Sequence, residues 1–187
     1  ATFRDVAGAV NLLWETPSVL ARFEHTGTVS LALAIELGLV GPAARASGRD
    51  MDSRRDFPVE GAEFGAGPAA VQESGDVFAR AYVRWLEIQK SAELIRRQLA
   101  ALPAGSICAA CSPLAPNALV VSISEGWRGE IVHVAETDAA GRFARYKVVD
   151  PSFHNWMGLA LALRGMEISD FPLCNKSFNL SYCGHDL

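Results

Sequence analysis

Cys108 and Cys111 form a C-x-x-C in SICAACSP, and Cys174, Cys183 and His185 stand in the closing stretch FPLCNKSFNLSYCGHDL. This spacing suits zinc, an iron–sulfur cluster or a redox pair, but a structural zinc needs two further ligands, which the tail supplies only by folding back onto the pair. A thioredoxin-like pair wants a strand before it and a helix after it, and Pro113 with Pro116 argues against the helix. The plain alternative is that Cys108 and Cys111 are small buried thiols. A second constellation is Glu125-Gly-Trp-Arg128-Gly129 followed by His133. An arginine beside a carboxylate on a glycine-flanked loop is a permanent cation with a fixed donor fork, able to steer anions, polarise a substrate or exchange protons with a histidine. Its plain alternative is a surface loop with a salt bridge.

The elements that must position these groups follow from pattern. Residues 1–70 hold helices and a Gly/Pro loop: apolar residues cluster at helical spacing from Phe3 to Val40, Thr16-Pro17 marks a helix start, and the last helix ends at Gly38. Gly41 to Pro58 is dense in glycine, proline and charge, which predicts an irregular loop with at most one helical turn, continued by the connector Gly61–Pro68. A helix over residues 75–102 presents Phe78, Ala81, Trp85, Ile88, Ala92, Ile95, Leu99 and Leu102 on one face, the pattern of a buried seam in a helical bundle. Arg80, Arg84, Glu87, Arg96 and Arg97 fall largely elsewhere. Asp76 caps the start, and Pro103 with Gly105 ends the helix. Residues 119–150 are β-rich, with a hairpin turning at Asp138-Ala-Ala-Gly141. Residues 151–187 form a helical tail, with helical spacing from Asn155 to Leu163. The expected class is α+β, mostly helical, in a single domain over residues 1–187.

Composition narrows the function. The 187 residues are 50% hydrophobic and 20% charged, enough for a sizeable core. A net charge of −4 without a basic run excludes nucleic acid as a natural partner. The longest apolar stretch, Val29 to Val40, carries Ser30 and Glu36 and is too short to span a bilayer. There is no secretory leader pattern at Phe3-Arg-Asp-Val, and a reducing compartment is the default for so few cysteines.

The motifs also carry a resemblance. Glu125-Gly-Trp-Arg-Gly129, His133, Gly141, Arg145-Tyr146, and Pro151-Ser152 with Asn155 resemble the E-x-P-R-G…H…G…R-Y…P-S-x-x-N signature of nickel–iron hydrogenase large subunits. Upstream, Gly38-Leu-Val-Gly-Pro-Ala-Ala-Arg45-Ala-Ser-Gly48, Arg54-Arg55-Asp56-Phe57-Pro58 and Gly75-Asp76 with Arg80 resemble segments shared with the large peripheral-arm subunit of respiratory complex I. The match is collinear over nearly the whole chain and looks nearest to the energy-converting hydrogenases and formate hydrogenlyases. It implies the C-terminal portion of such a subunit, with Ala1 at an internal boundary.

In that family the metal centre is nickel–iron, or the cavity takes quinone, while iron–sulfur clusters and NAD belong to partner subunits. The resemblance implies an iron–sulfur small subunit and membrane subunits as partners, at the inner face of the cell membrane. It further implies Arg128 as a cavity-lining residue, with Glu125 and His133 in support; Trp127 departs from the proline of the signature. Active hydrogenases end in D-P-C-x-x-C, and those positions fall here on Asn179, Leu180, Ser181 and Gly184, so both ligand cysteines are missing. Thiolates hold such a soft centre, and serine and glycine do not replace them. The complex I form of the tail, S-I-D-x-x-x-G-E-x-D-R, fits Ser177-Phe178-Asn179 and Asp186 about as well. Two other readings stand beside this one: a non-catalytic assembly or scaffold paralogue, and a zinc module built from Cys108, Cys111, Cys174 and Cys183.

Overall fold

The computed structural model describes residues 2–58, 67–102, 104, 105, 108 and 110–186. The helices α1 (Thr2–Trp14), α2 (Pro17–Phe23), α3 (Leu31–Glu36), α4 (Gly41–Ala46) and α5 (Ser53–Asp56) precede α6 (Val77–Ala100). Strands β1 (Leu119–Gly126), β2 (Gly129–Thr137) and β3 (Phe143–Val149) follow, then α7 (Pro151–Ala162), a 3-10 turn (Ile168–Asp170), α8 (Phe171–Phe178) and α9 (Tyr182–His185). The strands form one antiparallel sheet in the order β1-β2-β3. The α+β class stands as expected.

Local chemistry explains most boundaries. Asp76 caps α6 by accepting from the Ala79 N–H at 2.8 Å. Asp150 does the same for Ser152 N–H at 2.8 Å, so α7 begins at Pro151, a turn ahead of the expected Asn155. The β2–β3 turn closes where Asp138 accepts from Gly141 N–H at 3.0 Å, and its carboxylate accepts from Ala140 N–H at 2.8 Å. The tail forms two short helices where one was expected.

Two expectations are corrected. Gly41–Pro58 is not an irregular loop: α4 and α5 lie within it, and residues 41–47 are all buried. Ala43, Ala44 and Ala46 favour a helix and are small enough to sit against α6. Gly41 (φ +62°) lets this segment meet the sheet, because a Cβ there would lie 2.3 Å from Gly129 Cα. The second correction concerns α6. Of the eight stripe residues only Trp85 is buried, while Ile95, Leu99 and Leu102 are 54%, 66% and 66% exposed. The buried face instead carries Val77, Ala79, Arg80, Val83, Arg84, Trp85 and Glu87. Ala79 and Val83 admit close approach by Ala46 and Ala70, and the long polar side chains on that face find acceptors from other elements. The connector at 61–66 and Pro103 lie outside the described residues.

The main core joins Val29, Ala34, Leu39, Ala43, Ala44, Val77, Leu159, Ala162, Cys174 and Phe178. It ties α3, α4, the first turn of α6, α7 and α8 into one unit, and each fully buried large side chain contributes roughly 1.5–3 kcal/mol. This unit holds α4, α6 and the end of β1 around a shared polar interior.

Candidate functional site

The helices α4, α5 and α6 and the end of β1 each bring charge to that interior. Arg45 on α4, 1% exposed, donates through Nη1 to Glu125 Oε1 at 2.9 Å and to Met51 O at 3.0 Å. Glu125 Oε2 accepts the Ser53 N–H at 3.1 Å, so one carboxylate ties the end of β1 to both α4 and α5. Arg54 grips Asp52 twice, Nε to Oδ1 at 2.8 Å and Nη2 to Oδ2 at 2.5 Å, and reaches Glu87 Oε2 on α6 at 2.9 Å. The other Glu87 oxygen lies 3.8 Å from Arg45 Nη2. The result is an unbroken alternation, Asp52–Arg54–Glu87–Arg45–Glu125, with each buried charge facing its opposite.

Arg54, Glu87, Arg45 and Glu125 of this network line a cavity of about 200 Å³, to which Arg84, Gly126 and Trp127 also contribute. Burial acts to raise the Asp52 pKa, but the Arg54 guanidinium outweighs it and holds the carboxyl below its ordinary range. Arg54 is raised in turn, first through its hydrogen bond to Asp52 and then through Glu87. Arg84 differs. Burial, reinforced by the charges of Arg80, Arg128 and Arg45, pushes it down to about 9. Burial likewise brings Arg80 down to about 10, partly offset by Cys174 and Asp76.

Three arginines converge on the C-terminus of α8, where helix carbonyls lack intrahelical donors and carry the negative end of the helix dipole. Arg84 donates to Ser177 O and, at 2.9 Å, to Phe178 O; Arg80 Nε reaches Ser177 Oγ at 2.8 Å; Arg128 Nε donates to Asn179 O. Asn179 turns the chain in the left-handed region (φ +54°). Asn155 on α7 holds the assembly from behind, accepting from Val40 N–H at 2.9 Å and donating to Val40 O at 3.1 Å and Arg128 O at 3.3 Å.

The structure therefore brings Glu125 and Arg128 to two ends of one turn, Glu125 anchored inward and Arg128 half-buried against α8. His133 is placed elsewhere. It pairs with Ser122 across β1 and β2, and since Ser122 and Glu125 are three residues apart on one strand they face opposite sides of the sheet. Its Nδ1 lies 2.7 Å from the Tyr146 hydroxyl. Arg84 and Glu87 escaped the sequence reasoning because an apolar stripe drew attention to the other face. Their signal was present: Arg80, Arg84 and Glu87 at intervals of four and three share one helix face.

The cysteines are not gathered. Cys174 is fully buried beside Gly27, whereas Cys108, Cys111 and Cys183 are exposed. Cys108 and Cys111 thus do not meet the expectation of small buried thiols, since both are exposed. Among the described residues no group of three or more His, Cys, Asp or Glu side chains is placed to hold a metal ion. The two positions that the resemblance assigns to nickel–iron ligands, Ser181 and Gly184, have other work. Ser181 Oγ caps α9 by accepting Gly184 N–H at 3.0 Å, and Ser181 N–H donates to Ser152 Oγ at 2.9 Å. At Gly184 a Cβ would lie 2.4–2.7 Å from the Asp150 carboxylate atoms, so no cysteine fits without moving the cap of α7. His185 is stacked on Trp156 at 4.9 Å. The residues present do not fit a nickel–iron centre.

The family model for the respiratory-chain NADH dehydrogenase 49 kDa subunit matches residues 3–117. The chain belongs to that family. It is 36% identical over 178 residues to a carbon monoxide-induced hydrogenase of Rhodospirillum rubrum, covering 95% of this chain and 49% of the relative. It is 30% identical to formate hydrogenlyase subunit 5 of Escherichia coli K12, covering 96% of this chain and 32% of that protein. It is 33% identical to an NADH-quinone oxidoreductase component of Anaeromyxobacter, covering 85% and 44%. A solved archaeal respiratory membrane complex, the membrane-bound sulfane sulfur reductase, contains a chain with the same fold (TM-score 0.86, 23% identity, covering 95% of this chain and 50% of that one). The chain thus spans half or less of the length of these proteins.

Proposed function

We infer that the chain serves as part of the large subunit of a membrane-associated, hydrogenase-like or NADH-quinone oxidoreductase-like electron-transfer complex, and does not itself ligate nickel and iron. The observation that carries this reading is the joint one that relatives from both branches align over nearly the whole chain while the tail offers Ser181 and a sterically closed Gly184. In this reading Arg128 faces a cavity completed by the rest of the subunit, held by its bond to the Asn179 carbonyl, while Glu125 lines the polar cavity within this chain. Glu125 fixes the other end of the same turn to Arg45 and Ser53, Asn155 holds the Arg128 carbonyl, and His133 supports the sheet at a distance. No helix among the described residues is long and apolar enough to cross a membrane, so contact with the bilayer falls to partner subunits.

The closed tail also favours a second reading, a non-catalytic assembly paralogue. Purification of the tagged chain from membranes of its own cell tests both. The electron-transfer reading expects an iron–sulfur small subunit and membrane subunits in constant stoichiometry, a cluster signal in the electron paramagnetic spectrum that is reducible by the complex's donor, and no nickel bound through this chain. A stable complex without reducible clusters supports the assembly role. Stoichiometric nickel on this chain, or a chain that purifies alone, sinks the first reading.

A further inference from the structure

The two edges of the sheet differ. At the β3 edge Arg142 and Arg145 stand 80% and 87% exposed with Lys147 beside them, charges that keep a free strand edge from pairing. The β1 edge has no such guard. From Asn117 to Ser124 the chain reads NALVVSIS, with no charge and no proline, and Leu119, Val120 and Val121 are 70%, 59% and 54% exposed.

The ladder shows which groups β1 turns outward. Ala118 O accepts the Thr137 N–H at 2.9 Å, so that pair is hydrogen-bonded, and bonded pairs alternate along an antiparallel ladder. With Leu119 opposite Glu136 and each later residue in register, the residues that bond to β2 are Val120, Ser122 and Ser124. Leu119, Val121 and Ile123 therefore point their N–H and C=O away from the sheet, and among the described residues no strand or loop pairs with them. The far end is closed by α5, where the Ser53 N–H meets Glu125, which leaves residues 119–123 open.

The side chains of the same three residues share one face of the sheet. Val134 and Val132, opposite Val121 and Ile123 on β2, continue that face as an apolar strip. A free strand edge is read by another extended strand, through main-chain bonds along its length and through alternate side chains. The segment that matches this edge is β1 itself. In an antiparallel pairing about Val121, Leu119 lies opposite Ile123 of the second copy and Val121 lies opposite Val121. Each such pair exchanges both N–H···O bonds and sets an aliphatic side chain against an aliphatic one, with no charge near the axis.

We propose that β1 pairs with β1 of a second copy of this chain about a two-fold axis at Val121, joining two three-stranded sheets into one. The charged β3 edges then form both outer ends, so assembly closes at two copies instead of growing into a fibre. This inference is independent of the electron-transfer reading.

The test is sedimentation equilibrium of the full chain over a concentration series, with amide hydrogen exchange followed by NMR. The unaltered chain is expected to pass from one copy to two as concentration rises, while the Leu119, Val121 and Ile123 amides gain protection that they lack when dilute. Val121→Pro removes an outward N–H and leaves the ladder to β2 intact, and Val121→Lys sets like charges face to face; each is expected to lower the association constant by at least about tenfold. Val121→Glu is expected to weaken pairing in the same way, and an equal mixture of the Lys and Glu variants to restore it, because residue 121 meets itself only on the two-fold. A chain that stays single at every concentration, growth past two copies, a dimer that survives in folded Val121→Lys and Val121→Pro, or a mixture that stays monomeric overturns the proposal. If the variants do not fold, the three outward amides of the unaltered chain decide it: exchange that ignores concentration overturns the pairing.

Discussion

Replacing Glu125 by glutamine keeps the side-chain shape and removes one charge from the centre of the polar interior. In the native chain both carboxylate oxygens are used, Oε1 by Arg45 Nη1 at 2.9 Å and Oε2 by Ser53 N–H at 3.1 Å, in a pair whose side chains are 1% and 5% exposed. Glutamine offers one acceptor and turns an amide donor toward the other donor. Arg45 then keeps only Glu87 at 3.8 Å and the Met51 carbonyl as compensation. Removing one member of a buried pair costs about 3–5 kcal/mol. The retained acceptor places Glu125→Gln near the lower end, about 3 kcal/mol, which for a chain of this size lowers Tm by roughly 6–12 °C. Thermal and urea unfolding of Glu125→Gln, Arg45→Met and the double variant measure this. The double variant is expected to be less destabilised than the sum of the singles by at least about 1 kcal/mol, because the second change removes a charge already stranded by the first. A Tm within about 2 °C of the unaltered chain, or singles that add to within about 0.5 kcal/mol, refutes the network as a coupled unit.

Other expectations follow from single features. Gly184→Cys, alone or with Ser181→Cys, forces a Cβ into the Asp150 carboxylate and should lower Tm without creating stoichiometric nickel binding, checked by calorimetry and elemental analysis. Ile95→Gln and Leu99→Gln should change stability by no more than about 0.5 kcal/mol, since both side chains are more than half exposed; the loss of about 2–5 kcal/mol expected of a buried seam would show that this face is covered. On the acid side, Arg54 holds Asp52 below its unfolded value near 3.9, so its contribution is complete above that value and is lost as pH falls through the folded pKa. Asp52→Asn should therefore flatten the acid limb of Tm against pH, and an unchanged limb would remove Asp52 from the account.

Features settled within a few residues were legible from the chain. The cap Asp76, the turn at Asp138–Gly141 and the two strands that flank it are specified by groups a few positions apart, whereas the Asp150 cap, which starts α7 a turn ahead of Asn155, was not read from the chain. The face of α6 was not legible. An apolar stripe at helical spacing predicts burial only where another element arrives to cover it, and here α4 and α8 pack on the side that carries Arg80, Arg84 and Glu87.

The sequence by itself determined the family pattern and the α+β class, because each depends on residue identity or short-range spacing. Only the tertiary structure decided that Arg45 meets Glu125 across 80 positions, that Arg54 meets Glu87 across 33, and that Arg84 caps α8 across 93 and 94. A buried guanidinium is tolerated only where acceptors from distant elements converge on it, and that convergence is a property of packing, not of composition. The same holds for Gly184: its identity can be read from the chain, but the carboxylate that occupies the space a cysteine would need comes from Asp150, 34 positions earlier.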